Sequence, residues 1–149
     1  DGFLSINDLP KNTILTPHYG ELSKLFNVDI SLIKENTIEV LHEIIPKLNG
    51  RVLILKGNPT FICKTNGIIA ISNYGKPILA TAGTGDVLSG IIGSLLSQGY
   101  LLDDAAIIGV IVHSLSANIY ISNISSFGLI ASDIIDKIPI VFNDLQCNN

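Results

Sequence analysis

The residues with the most chemical promise form one short run, Thr81-Ala82-Gly83-Thr84-Gly85-Asp86, which leads into an apolar stretch at helical spacing. Glycines let a backbone approach a bulky anion with no Cβ in the way. Successive N–H groups at a helix start point outward, and the helix dipole adds partial positive charge, so Gly83, Thr84 and Gly85 read as a phosphate-binding turn. Asp86 falls in the first helical turn beside it, where a carboxylate can take the proton of a hydroxyl that attacks the phosphate. An ordinary acidic helix N-terminus has the same composition, and a short glycine motif alone does not decide between the two.

Two further groups carry candidate chemistry. Lys56-Gly57-Asn58-Pro59-Thr60 follows an apolar strand-like run, Arg51 to Leu55. Ligands of open α/β sheets gather at the carboxyl ends of strands, which places Lys56 to reach a phosphate and Thr60 to hydrogen-bond a nucleotide. A strand-ending turn with a surface lysine is the plain alternative. Thr16-Pro17-His18-Tyr19-Gly20-Glu21 is the third group. Thr16 suits a helix N-cap and Pro17 the first helical position. His18 and Glu21 stand three apart and share a helix face. Glu21 is a candidate Mg²⁺ holder acting through water, since hard cations prefer carboxylate and water ligands; a capped helix with a favourable first-turn Glu is the simpler reading. His42 is expected on a solvated helix face, and His113 as a satisfied histidine inside an apolar helix. The sequence holds no P-loop, no Ser-His-Asp order and no metalloprotease signature.

The elements that must position these groups are legible from periodicity. Helices are expected from Pro17 through Phe26, from Thr37 to Leu48 with Pro46 kinking or ending it, from Asp86 to Gln98 with Gly99 at its end, from Asp103 to Asn123, and from a Ser132 cap through Asp136 until Pro139 stops it. Strands are expected at 51–55, and at 60–64 and 68–71 around an Asn66-Gly67 hairpin turn. This order gives α/β with a sheet sandwiched by helices. It offers few strands for a doubly wound sheet, so the sheet is expected to be incomplete on its N-terminal side.

Composition narrows the classes. The chain has 149 residues, 47% of them hydrophobic and 15% charged, which fits a single domain over 1–149. So little charge points to surface covered by another subunit, hence a homo-oligomer, or by a missing segment. A net charge of −4 and a pI near 5.1 argue against nucleic-acid binding. The longest unbroken apolar run, 105–112, is shorter than a bilayer span, so no membrane role is expected. Cys63 and Cys147 stand apart with no metal-ligand spacing, as expected of free thiols in a reducing cytoplasm. The sequence contains no Met and begins at Asp1, which suggests a fragment or processed chain.

Together, TPHYGE at 16–21, LKGNPT at 55–60, ATAGTGDVLSGIIGSLLSQG at 80–99, DDAAIIGVIVHSLSA at 103–117 and GLIASDIIDKIP at 128–139 resemble the NAD(P)H-hydrate dehydratases, ribokinase-like domains that use ADP or ATP. The resemblance covers nearly the whole chain from about Thr13. It implies a ribokinase-like α/β/α sandwich, with a further N-terminal stretch of the same domain outside this sequence; Asp1 to Leu4 resemble a mid-domain segment. It implies nucleotide-dependent dehydration of NADHX or NADPHX to NAD(P)H, through phosphorylation of the 6-hydroxyl. By the same resemblance His18 and Asp86 contact the hydrate, Lys56 to Thr60 and Gly85 bind the AMP portion of the nucleotide, and Glu21 belongs to a Mg²⁺-organising motif. Ala82 stands where the family often has Gly, and Ser114 follows His113 where Gly is usual. The rival expectations are a small-molecule kinase of the same superfamily and a non-catalytic nucleotide-binding fragment.

Overall fold

In the computed structural model, residues 6–147 are described, and they divide into two compact units, one ending at Ile71 and the other beginning at Ser72. The expectation for Asp1 to Leu4 lies outside the described residues.

The first unit is α/β. After a 3₁₀ turn at Ile6–Asp8 come β1 (Ile14–Leu15), α1 (Tyr19–Phe26), α2 (Ile30–Glu35), α3 (Thr37–Leu48), β2 (Val52–Leu55), β3 (Thr60–Cys63) and β4 (Ile69–Ser72). The four strands lie in the order β1-β2-β3-β4. β1 and β2 are parallel, with Ile14 opposite Val52, and β2 and β3 are antiparallel, with Ile54 opposite Ile62. β2 is buried at every position, as its continuous apolar run demands. Leu53 and Leu55 pack with Leu22, Ile33, Leu41, Ile44 and Leu48, so α1, α2 and α3 share a core with β2. Arg51 is buried just before β2; its guanidinium donates to the carbonyls of Leu9, Pro10 and Leu48 and ties the N-terminal segment to the end of α3.

Several expected boundaries shift. α3 matches its sequence bounds, and Pro46 lies inside it without ending it. Asn49 and Gly50 adopt positive φ and close it instead. The Asn66-Gly67 turn joins β3 and β4, with Gly67 at φ 84 and the Asn66 Oδ1 accepting from the Ile68 N–H. α2 is absent from the sequence expectation, although Asp29 caps it by accepting from the N–H groups of Ser31 and Leu32.

The second unit is helical: a 3₁₀ turn at Pro77–Leu79, then α4 (Thr84–Ser97), α5 (Leu102–Asn123), α6 (Ala131–Ile135) and α7 (Ile138–Cys147). α4 begins two residues before the expected Asp86. Ser132 is not the cap of α6; Asp133 closes its first turn by accepting from the Ile130 N–H at 2.8 Å. Pro139 does not stop a helix but sits in the first turn of α7, where its missing N–H costs no helical bond. α4 and α5 approach closely, because a Cβ on Gly109 would come within 2.6 Å of Ile92 Cγ1. α5 alone is long and apolar enough to cross a membrane, by length and composition, among the described residues. Here it is a core helix, burying Ala105, Ala106, Val110, Val112, His113 and Ala117.

Candidate functional site

The first cluster rests on strand pairing. β1 and β2 run side by side, and the pairing continues past them: the Lys56 N–H donates to the Pro17 carbonyl at 2.8 Å, and His18 and Lys56 form a parallel bridge. The 16–21 and 56–60 motifs therefore leave the same end of adjacent strands. This corrects the expected helix start. Thr16 does not cap α1 and Pro17 does not open it, because both are held in extended backbone beside Lys56.

His18 is the N-cap. Its Nδ1 accepts from the Glu21 N–H at 3.1 Å, and Glu21 Oε2 accepts from the His18 N–H at 2.7 Å, a reciprocal capping box. An accepting Nδ1 places the proton of a neutral imidazole on Nε2, which lies 3.5 Å from Glu21 Oε1. Lys56 Nζ stands 3.6 Å from Glu21 Oε2. Partial burial pushes the Glu21 pKa up, but the His18 N–H and the Lys56 ammonium outweigh it, so the carboxyl lies below its ordinary value. Glu21 is thus a fixed anion with one oxygen committed to His18 and Lys56 and its side chain half exposed. Among the described residues no group of three or more His, Cys, Asp or Glu side chains is placed to hold a metal. A lone carboxylate still suits Mg²⁺ carried on nucleotide phosphates, because that ion keeps its waters and takes few protein ligands.

Gly57 is required by its neighbours. A Cβ there would meet the Tyr19 ring at 2.8 Å and the Pro59 carbonyl at 3.1 Å. Asn58-Pro59 is a cis peptide, and the Thr60 hydroxyl donates to the Gly57 carbonyl at 2.9 Å. The 56–60 turn is therefore folded against α1.

The second cluster rests on a helix end. Gly83 is the N-cap of α4 at φ 84, and a Cβ on it would stand 3.2 Å from Ala131 Cβ. Both facts favour glycine. The Thr84 hydroxyl shares its proton between the carbonyls of Leu79 at 2.7 Å and Thr81 at 2.8 Å, which ties the turn to the 3₁₀ segment before it. Of the turn's amides, Thr84 N–H donates to Thr81 and Asp86 N–H to Gly83, while those of Gly83 and Gly85 have no acceptor among the described residues. The anion-binding capacity expected of 83–86 thus narrows to the two glycine amides. Asp86 is exposed, and its carboxylate makes no hydrogen bond or ion pair with a described residue. It lines a cleft of about 600 Å³ with Gly83, whose apolar walls include Val87, Ile91, Leu95, Ile135 and Phe142.

His113 is the satisfied core histidine that the sequence suggests. Its Nε2 lies 2.9 Å from the Thr84 carbonyl. Burial holds its pKa below the ordinary value of 6.5, against the opposing pull of that carbonyl. His42 is exposed, as expected. Cys63 is a buried free thiol with its pKa pushed up to about 12 by burial, and so inert.

Comparison with known proteins identifies the family and the fold. A family model described as NAD(P)H-hydrate dehydratase matches residues 4–140. A bifunctional NAD(P)H-hydrate repair enzyme of Dictyoglomus turgidum is 36% identical over 137 residues, 91% of this chain and 26% of that protein. An ADP-dependent (S)-NAD(P)H-hydrate dehydratase of Neisseria meningitidis is 35% identical over 125 residues, 83% of this chain and 42% of that protein. Among solved structures, the ADP/ATP-dependent NAD(P)H-hydrate dehydratase of Bacillus subtilis, co-crystallised with ATP and Mg²⁺, aligns with a TM-score of 0.82 at 30% identity, covering 88% of this chain and 47% of that one. A ribokinase-like superfamily protein of Enterococcus faecalis aligns at 0.78 with 27% identity, over 91% of this chain and 45% of that one. The fold is accordingly mixed α/β of the ribokinase-like kind, and the chain spans between a quarter and a half of the length of these relatives. Across 137 of its 149 residues, this chain belongs to the NAD(P)H-hydrate dehydratase family.

Proposed function

We propose that the protein containing this chain uses ADP or ATP to dehydrate NADHX or NADPHX back to NAD(P)H. The observation that carries the reading is the second cluster: an unpartnered Asp86 carboxylate beside a glycine turn with two unengaged amides, at a helix N-terminus. Phosphoryl transfer needs positioning and charge neutralisation more than covalent help from the protein. Asp86 takes the proton of the 6-hydroxyl as its oxygen attacks the terminal phosphorus of the nucleotide. The nucleotide leaves one phosphate shorter. The ring nitrogen lone pair then expels phosphate from C6, and loss of a proton from C5 restores the ring double bond. The amides of Gly83 and Gly85 hold phosphate oxygens. Lys56 binds nucleotide through its ammonium, with Gly57 to Thr60 shaping the turn beside it, and His18 meets the hydrate. Glu21 orients Lys56 and holds Mg²⁺ through water. The reading places the protein in the cytoplasm, and the exposed apolar side chains Ile135, Ile140 and Leu145 suit self-association.

The test is product analysis with the whole protein, given NADHX and ADP or ATP. The expected products are reduced nicotinamide cofactor, inorganic phosphate and the shortened nucleotide, in equal amounts. A stable phosphate ester with no NADH would instead make the protein a small-molecule kinase.

A further inference from the structure

α5 contributes a residue to the Gly83–Asp86 turn that touches neither nucleotide nor hydrate in the reading above. His113 is buried, and its Nε2 lies 2.9 Å from the carbonyl of Thr84, 29 residues away in sequence. A carbonyl only accepts, so this imidazole nitrogen carries a proton and donates it. Thr84 is itself buried and is the first residue of α4. Its hydroxyl is anchored to Leu79 and Thr81, and its carbonyl to His113, so both of its polar ends are held. The next two residues are Gly85, with its unengaged N–H, and Asp86, with its unpartnered carboxylate. About one turn of α5 before His113, Gly109 lets α4 settle against α5 with Ile92 in place of a side chain. Gly109 permits the close spacing of the two helices, and His113 meets the first turn of α4 at the Thr84 carbonyl.

We propose that His113 is a positioning residue: its Nε2–H bond to the Thr84 carbonyl sets the direction in which the Gly85 amide and the Asp86 carboxylate point. The proposal rests on the reading of Gly83–Asp86 as the reacting turn. A buried neutral imidazole suits the task, because it presents one fixed donor and adds no positive charge that would pair with the Asp86 carboxylate. The histidine does not take part in proton transfer. Its effect on rate is indirect and comes from alignment, where a displacement of about 1 Å can cost about 10²-fold.

Three variants of the whole protein test this. His113→Gln keeps an N–H donor close to where Nε2 stands, His113→Asn withdraws it, and His113→Leu removes it. At a temperature well below every melting transition, His113→Leu and His113→Asn are expected to lower kcat by about 10- to 100-fold. His113→Gln should restore kcat to within about threefold even where its melting temperature falls as far as that of the Leu variant. A purely structural histidine would give activity that follows melting temperature instead, and equal losses in Gln and Leu, or full kcat in Leu, would overturn the proposal. A second measurement needs no turnover. In the ¹⁵N spectrum His113 should be the neutral Nε2–H form, and in His113→Leu the Asp86 and Val87 amides, which donate to the Gly83 carbonyl, should exchange with solvent about fivefold faster or more, with the middle of α4 unchanged. An Nδ1–H imidazole, or unchanged exchange at those amides, also overturns the proposal. If the wild-type protein produces no NADH, the proposed reaction fails, while the ¹⁵N and exchange results still decide what His113 does.

Discussion

The two clusters are built on opposite plans. In the first, a strand pair sets the geometry: His18 and Lys56 are neighbours because Pro17 and Lys56 continue the β1–β2 ladder. Its charged groups are mutually engaged, with Glu21 accepting from the His18 backbone and facing the Lys56 ammonium. In the second, a helix end sets the geometry, and its reactive groups are left unengaged: the Asp86 carboxylate and the Gly85 amide have no partner among the described residues. The difference teaches a division of labour. A pre-neutralised cluster suits binding, where a cation must be held at a fixed place. An unengaged carboxylate suits chemistry, where a base must be free to accept a proton.

Asp86→Asn breaks this contrast most directly. The isosteric amide keeps the fold and the glycine turn but cannot accept the proton. Turnover in the whole protein should fall by about 10²–10⁴-fold, the usual cost of losing a general base. Nucleotide affinity should hold or rise, since a negative charge beside the phosphates is gone. Near-normal turnover with a slightly lower melting temperature would reduce Asp86 to a favourable first-turn acid. Lys56→Ala is the mirror experiment. It should raise the nucleotide Kd by about 10- to 100-fold, as expected for one charge-assisted contact, and change kcat much less. Unchanged affinity with collapsed turnover would move Lys56 into the chemistry and erase the contrast between the clusters.

Gly57→Ala probes how the first cluster is shaped. Its methyl meets the Tyr19 ring and the Pro59 carbonyl, and such overpacking costs about 1–3 kcal/mol, which thermal melting would register. The Gly83 turn should keep its amide exchange pattern. The second cluster answers to pH instead. The folded pKa of His113 lies below 6.5, so the unfolded chain binds the proton first. Its contribution to stability is complete above 6.5 and is lost as pH falls through the folded value. His113→Gln cannot titrate there, so the melting temperature of the wild type should drop more steeply than that of the variant below pH 6.5. Parallel profiles would mean that the imidazole is not buried in its neutral form.

What the sequence reveals about these clusters follows from how local each cause is. The bounds of α3 are legible because apolar periodicity is a local signal, although Pro46, expected to kink or end the helix, lies inside it. The β3–β4 turn is legible because Asn66-Gly67 favours one turn geometry. The α1 start is misread because Thr16 and Pro17 answer to Lys56, which lies 39 residues beyond Pro17 and holds them extended. Arg51 and His113 act through carbonyls 42 and 29 residues distant, and no periodicity marks such bonds. α2 is only six residues long, too short for a helical pattern to declare itself, although its Asp29 cap is a local signal. The candidate residues themselves are legible as types. Their state, engaged in one cluster and unengaged in the other, is not.

Glu21→Gln should give the smallest effect and sharpens the first cluster most finely. The amide oxygen can still accept from the His18 N–H, so the cap of α1 survives and only the charge is lost. The pair with Lys56 is half exposed, and such pairs contribute at most about 1 kcal/mol, so melting should change little. The pH dependence should change with it. The Glu21 pKa is lowered in the fold, so its contribution is present above the unfolded value of 4.5 and is lost as pH falls through the folded one. The variant should therefore lack a small acid-side loss of stability that the wild type shows. Turnover separates the two roles of the carboxylate. If Glu21 only orients Lys56, the variant should show a modestly raised nucleotide KM at every Mg²⁺ concentration. If Glu21 also holds the ion through water, the defect should be large at limiting Mg²⁺ and shrink as Mg²⁺ saturates, because added ion replaces what the lost charge no longer attracts. A KM defect that is flat across the Mg²⁺ titration would leave Glu21 as a capping and orienting residue and remove it from the metal site.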